Sequence, residues 1–175
     1  EMRRFYRNGQ LKYICHFNKG KREGNLTMYY PNGSVWRLEE YDKGKLQDGH
    51  VYDVSGKEVT FYPSDRAVGF PGGTYGLRLF IREHLHYPQE AFEHNVEGQV
   101  LIRIVVDTKG RIEKYYVLPQ GSDNLYLRKE AIRLVEEDFM KVEWEPAVQY
   151  GEFVRMGYVL PLNFKIPKPK TTIKN

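Results

Sequence analysis

Cysteine is nearly absent from this chain: Cys15 is the only one among 175 residues. A single thiol excludes an internal disulfide and any multi-cysteine metal site, and it leaves the redox compartment open. Long apolar runs are missing as well. The best candidate, Val100 to Val106, is interrupted by Arg103 and falls far short of the roughly 18 residues that a membrane-spanning helix needs. Nor does one sign of charge dominate, since 27 Lys and Arg face 23 Asp and Glu, a formal +4 scattered along the sequence. A nucleic-acid footprint needs basic residues clustered on one face or groove, so no nucleic-acid partner is expected. The chain begins at Glu1 and shows no signal peptide. The expectation is a fragment or processed chain, with a signal or an anchor in the segment before it.

Catalytic and metal-binding spacings are missing too. His84 and His86 stand two apart across a helix end, not in the i, i+4 arrangement of a zinc protease. His84 falls on an apolar face, where a hydrogen-bonded core histidine is the expected reading. Gly69 and Gly72-Gly73 lack the following Gly-Lys-Ser/Thr of a phosphate loop, and no G-x-S-x-G appears. Cys15 has no evident base nearby, and Glu136-Glu137 read as solvated helix residues. No catalytic residue, cofactor or metal ligand is therefore assigned, and an enzyme is not expected.

The residues present are 41% hydrophobic, 14% aromatic and 29% charged, which suits a packed globular protein with a solvated surface. Residues 1–63 repeat themselves. Asn8-Gly9, Asn32-Gly33 and Ser55-Gly56 recur at intervals of 24 and 23 residues, each after an aromatic pair or single, Phe5-Tyr6, Tyr29-Tyr30 or Tyr52. Between them Asn18-Lys19-Gly20-Lys21 and Asp42-Lys43-Gly44-Lys45 lie 24 apart, after Phe17 and Tyr41. Asn-Gly between strand-like segments signals a hairpin, with a type I′ turn whose two central residues both need positive φ. The unit is a strand, a tight turn, a strand and a second turn. Because one hairpin is not stable alone, each unit must stack its rings on the next. The Tyr29-Tyr30-Pro31-Asn32-Gly33 core resembles MORN-type repeats. The rings could hold peptides or sugars, but packing between repeats is the preferred reading.

The repeat stops near Pro63-Ser64-Asp65. Pro63 to Gly73 holds two Pro and three Gly, and residues 64–73 are expected to be a linker. Thr74 is a candidate N-cap for a helix to about Leu85, with Leu77, Phe80, Ile81, His84 and Leu85 on one face. Pro88 suits the first position of a short second helix to about His94. Gly98 opens a strand whose Val100, Ile102, Ile104 and Val106 share a face; Asp107 to Gly110 turns it back into Ile112–Leu118. Ser122-Asp123-Asn124 start another helix. Leu127, Ala131, Ile132, Val135 and Phe139 lie on its inner face, and Arg128, Glu130, Arg133 and Glu137 towards water. Trp144 should cap the core. From Phe153 to Ile166 apolar and polar residues alternate, and Pro161 cannot donate to a ladder, so this strand belongs at a sheet edge. Residues 167–175 read as a flexible tail.

The order of Tyr87-Pro88, Glu97-Gly98-Gln99-Val100, Val106-Asp107 with Gly110, Trp144-x-Pro146-Ala147 and Leu162-x-Phe164-Lys165-Ile166 resembles the C-terminal domain of TonB energy transducers. Phe70-Pro71-Gly72-Gly73 is similar to the version common in Bacteroidetes-type members. The fold class expected is α+β: a β-hairpin repeat array, then residues 74–166 as a small antiparallel sheet against two main helices. The resemblance implies a periplasmic, membrane-anchored protein that binds the TonB box of an outer-membrane TonB-dependent transporter. It also implies inner-membrane motor proteins, engaged through an anchor preceding this chain, and a homodimer, since isolated family domains form intertwined dimers. The edge strand supplies the expected partner-binding residues: Phe153, Arg155, Gly157, Val159, Asn163 and Lys165. The alternative is an envelope scaffold or adaptor that binds protein or glycan without transducing energy.

Overall fold

The computed structural model describes residues 1–166, so the expected tail at 167–175 lies outside the described residues. The chain divides into two compact units, Glu1–Ser64 and Asp65–Asn175.

The first unit is built from antiparallel strands: β1 (Met2–Phe5), β2 (Leu11–Cys15), β3 (Phe17–Asn18), β4 (Lys21–Arg22), β5 (Gly24–Tyr29), β6 (Val35–Asp42), β7 (Lys45–Tyr52) and β8 (Glu58–Val59). Six of them form one sheet in the order β1-β2-β5-β6-β7-β8, while β3 and β4 make a small hairpin of their own. The turns differ from expectation in type. Gly9 and Gly33 have φ of 83° and 88°, but Asn8 and Asn32 are not among the residues with positive φ. These are therefore turns closed by a glycine bulge, and each Asn side chain accepts the N–H two residues on, from Gln10 or Ser34. The type I′ geometry, positive φ at both central residues, occurs instead at Lys19-Gly20 and Lys43-Gly44.

Successive repeats are joined by a recurring bond. Tyr6 Oη donates to the Tyr29 carbonyl at 2.8 Å, and Tyr30 Oη to the Tyr52 carbonyl at 2.9 Å. Of the repeat rings, Phe5 and Phe17 are exposed, Tyr6, Tyr29, Tyr30 and Tyr52 are half-buried, and Tyr41 is buried. One sheet face instead buries Tyr13, Cys15, Leu26, Met28 and Val51 together with a charged pair, Arg37 and Glu39. Arg37 Nη1 donates to Glu39 Oε1 at 2.9 Å and also to the Tyr62 carbonyl. Glu39 accepts from Tyr41 Oη, Ser64 Oγ and the Ser64 N–H. The Arg37 guanidinium lies 4.5 Å from the Tyr62 ring centroid, while its Nε and Nη2 have no hydrogen-bond partner. Phe61 packs where Gly49 has no side chain, since a Cβ there would come within 2.1 Å of its ring.

In the second unit, α1 (Gly73–His84) and α2 (Gln89–Glu93) precede a three-stranded antiparallel sheet of β9 (Gly98–Val106), β10 (Ile112–Val117) and β13 (Met156–Phe164). Between β10 and β13 come α3 (Leu125–Arg133) and the small hairpin β11 (Ala147–Gln149) and β12 (Glu152–Val154). Val100, Ile102, Ile104 and Val106 of β9 are fully buried, together with Leu127, Ala131 and Phe139 from the helix side and Leu160 and Leu162 from β13. Trp144 is buried in the same core, edge-on to Phe70 at 5.1 Å.

Five expectations need correction. The segment read as a linker is structural: Ser64, Val68 and Phe70 are buried, and Arg66 and Gly69 bridge to Val148 and Glu145. Thr74 is not the N-cap of α1; Gly72, in the left-handed region, holds that place, and the helix begins a residue earlier than Thr74. Glu130 is buried rather than solvated, because it accepts the His86 N–H and pairs with Arg133 at 2.7 Å. Beyond Arg133 the helix widens into a π-turn, Leu134–Asp138, which brings Leu134 as well as Val135 into the core and leaves Ile132 half-buried. Finally, the alternating stretch 153–166 is not one strand: it breaks at Arg155 between β12 and β13.

The buried Arg37–Glu39 pair generates a prediction for the first unit. Removing one partner leaves an uncompensated buried charge, so Glu39→Ala should cost about 3–5 kcal/mol. Replacing both with apolar residues of similar size, Arg37→Met with Glu39→Leu, should recover most of that loss. Urea denaturation of the full chain checks this; a double variant no better than Glu39→Ala would refute it.

Candidate partner-binding edge

The edge at issue is made by the alternation of β9. Leu118 N–H donates to the Leu101 carbonyl and Ser122 N–H to the Gln99 carbonyl, so these odd-numbered β9 residues direct their backbone towards the β10 side. Alternate residues of a strand direct N–H and C=O to opposite sides. Val100, Ile102 and Ile104 therefore face β13, where the register is Val100↔Leu162, Ile102↔Leu160 and Ile104↔Tyr158 without a bulge. By the same parity Gly157, Val159, Pro161 and Asn163 turn their main-chain groups outward. In the order β10-β9-β13 the last strand has no further neighbour among the described residues. Pro161, which has no N–H, sits where no internal bond is lost.

The expected binding residues divide into three groups. Gly157, Val159 and Asn163 form the outward row, with Val159 44% exposed. Asn163 Oδ1 accepts from Gln99 Nε2 at 2.8 Å across the outer sheet face. Arg155 lies in the break before β13 and pairs with Glu113 at 2.9 Å, and Lys165 is exposed just past the end of β13. Phe153 does not join them, because it belongs to β12 and pairs with Val148 of β11.

The sheet face opposite the helices is open. It holds a shallow depression of about 650 Å³ lined by Arg103, Val105, Lys114, Tyr116 and Gly157 among others. The sequence reading passed over Arg103 as a site residue, although its interruption of an apolar run was the available signal. Its side chain lies across the backbone of β13: a Cβ on Gly157 would stand 2.7 Å from Arg103 Nε and 3.1 Å from Nη2.

The other expected motif residues build the frame. Tyr87 Oη donates to the Val96 carbonyl at 2.5 Å and its ring packs edge-on to Phe164. Pro88 caps α2, and Gly98 pairs with Phe164 at the start of β9. Gly110, at φ 80°, is overlaid by Trp144, whose N–H donates to the Gly110 carbonyl at 2.8 Å. The Pro146 carbonyl accepts from Arg66. Asp107 accepts the N–H groups of Lys109 and Arg111 and the Arg111 guanidinium. Residues 83–166 match the family model of the Gram-negative bacterial TonB protein C-terminal, and residues 1–19 and 22–43 match the MORN repeat variant. Over these residues the chain is similar to a TonB C-terminal domain preceded by MORN repeats. No curated protein matches the chain.

The matched TonB segment begins inside α1 and runs through β13, so it includes the whole three-stranded sheet and its open edge. The MORN match ends at residue 43, at the turn after β6. Among the described residues, no group of three or more His, Cys, Asp or Glu side chains is placed to hold a metal, and no helix is long and apolar enough to cross a membrane. His84 Nδ1 donates to the Phe80 carbonyl at 2.9 Å and the ring stacks on that of Phe80, which uses it in packing.

Asp107 makes the turn of the β9–β10 hairpin pH-sensitive. The backbone N–H of Arg111, then that of Lys109, hold its carboxyl below the usual range. A lowered folded-state pKa means stabilisation that is present above the unfolded carboxylate value, roughly pH 4, and lost as pH falls through the folded value. Asp107→Asn should therefore destabilise the domain near neutral pH and lose that deficit in acid. Paired denaturation curves across pH check this; a deficit that persists unchanged in acid would be the contrary outcome.

Proposed function

We propose that this protein is an envelope component of a TonB-like energy transducer, which takes up an extended peptide of an outer-membrane TonB-dependent transporter as a fourth strand beside β13. The observation that carries the reading is the outer edge of β13, unpaired among the described residues and lying within the matched TonB segment. An edge of this kind offers main-chain donors and acceptors to any extended chain. The two matched families are non-catalytic, which agrees with a protein that binds and transmits. The adaptor reading, without energy transduction, is favoured by one feature, the MORN repeats ahead of the domain, which offer a second surface for protein or glycan.

Because the interaction is made by backbone, truncating Asn163 should weaken peptide binding only modestly. Val159→Pro removes an outward donor and should weaken it several-fold or more, with little change in the fold, since that N–H makes no internal bond. NMR titration of the labelled chain with a TonB-box-like peptide reads both effects. Shifts confined to the β9–β10 turn or to the repeats, with residues 156–164 unmoved, would overturn strand addition.

A further inference from the structure

We infer that Arg103 is a specificity residue of the β13 edge, and that the strand it selects carries a carboxylate side chain on the face away from the helices. The inference rests on the strand-addition reading and goes beyond it, because backbone pairing alone has no preference for charge.

Four observations converge. First, position 157 is a glycine without conformational need, since its φ lies outside the left-handed region. What glycine supplies there is space: a Cβ would stand 2.7 Å from Arg103 Nε and 3.3 Å from Cζ, so any side chain would push the guanidinium aside. The missing side chain lets the guanidinium of Arg103, rooted on the central strand opposite Val159, cross β13 diagonally towards its free edge. Second, the neighbouring cations are engaged. Arg155 pairs with Glu113 at 2.9 Å, and the Lys114 ammonium sits 5.9 Å from the centroid of the Tyr116 ring. Arg103 has no ion-pair or hydrogen-bond partner among the described residues, and it is exposed. Third, the geometry of pairing puts the ligand within reach. A residue added opposite Gly157 or Val159 directs its side chain to the same outer face, about 5 Å away across the strand pair. Fourth, a guanidinium is planar and presents two parallel donors, which match a carboxylate better than an amide or hydroxyl. The ligand class is thus an extended peptide with Asp or Glu at an outward position, flanked by residues able to adopt β structure.

The test uses the full chain and two labelled synthetic peptides, identical alternating Val and Thr sequences except for one central Glu or Gln. Fluorescence anisotropy at low ionic strength gives the affinities, and amide shifts of residues 156–164 locate the binding. The Glu peptide should bind about fivefold tighter than the Gln peptide, as expected for a charge-assisted pair at a partly open site. Arg103→Gln should erase the difference. Arg103→Lys should restore part of it. Gly157→Ala should also shrink it, because the added methyl displaces the end of a flexible side chain and leaves the strand in place. Equal binding of both peptides by the native chain, with shifts still on 156–164, would overturn the role of Arg103 and leave strand addition standing. Failure of both peptides to shift 156–164 would overturn both readings.

Discussion

The second unit depends on β9. Among the described residues it is the only strand of its sheet paired on both edges, and up to Ile104 its burial follows parity. Val100, Ile102, Ile104 and Val106 are wholly buried under the helices, while Gln99, Leu101 and Arg103 face the other way. Side-chain period and hydrogen-bond period are both two, so this one pattern sets which face packs and which edge each backbone group serves. A slip of one residue against β13 would turn Leu160 and Leu162 to solvent and would need an N–H from Pro161 that does not exist. Packing and donor chemistry therefore fix the same register independently. The free row of β13 is a consequence of that register.

The first unit solves a different problem with less apolar material. Its sheet buries a guanidinium and a carboxylate, and the carboxylate is fully engaged by Tyr41, Ser64 and Arg37. Desolvating such a pair is costly, and an apolar pair of the same volume often does as well. What the ionic arrangement does supply is direction. Glu39 accepts the backbone N–H of Ser64 and Arg37 donates to the carbonyl of Tyr62, so the end of the unit is held back across β6. The repeat has no further hairpin to stack on at this end, and the returning segment closes it, with Phe61 seated over Gly49.

Legibility followed periodicity. The β9–β10 hairpin, the start of α3 at Asn124 and the edge position of the last strand were all readable, because each rests on local alternation or capping chemistry within a few residues. Failures came where tertiary partners decide. In β6 the apolar residues Trp36 and Leu38 share a face, yet the opposite parity, Arg37 and Glu39, is buried. Nothing nearby announces that Ser64, 25 residues on, completes the carboxylate's shell. Residues 64–73 look like a linker because their Pro and Gly content is real. Val68 and Phe70 still enter the core, since two apolar residues suffice to anchor a segment whose backbone bridges to Glu145 and Val148. Of the candidate edge, the edge position of the strand was readable but Arg103 was not: its place lies in a diagonal contact with a glycine 54 positions away.

Pro161 limits what the open edge can pair with. An uninterrupted row of outward donors on a nine-residue strand would pair with any copy of itself. The proline interrupts that row between Val159 and Asn163, so a full-length partner strand loses a bond at the middle. A short peptide pairing with the first half, around Gly157 and Val159, loses none. That half is also where Arg103 crosses the strand. The segment richest in free backbone groups and the segment under the cation therefore coincide. On the proposed reading, an incoming strand would be selected there by its length and by its charge, through features that the packing of β13 on β9 leaves untouched.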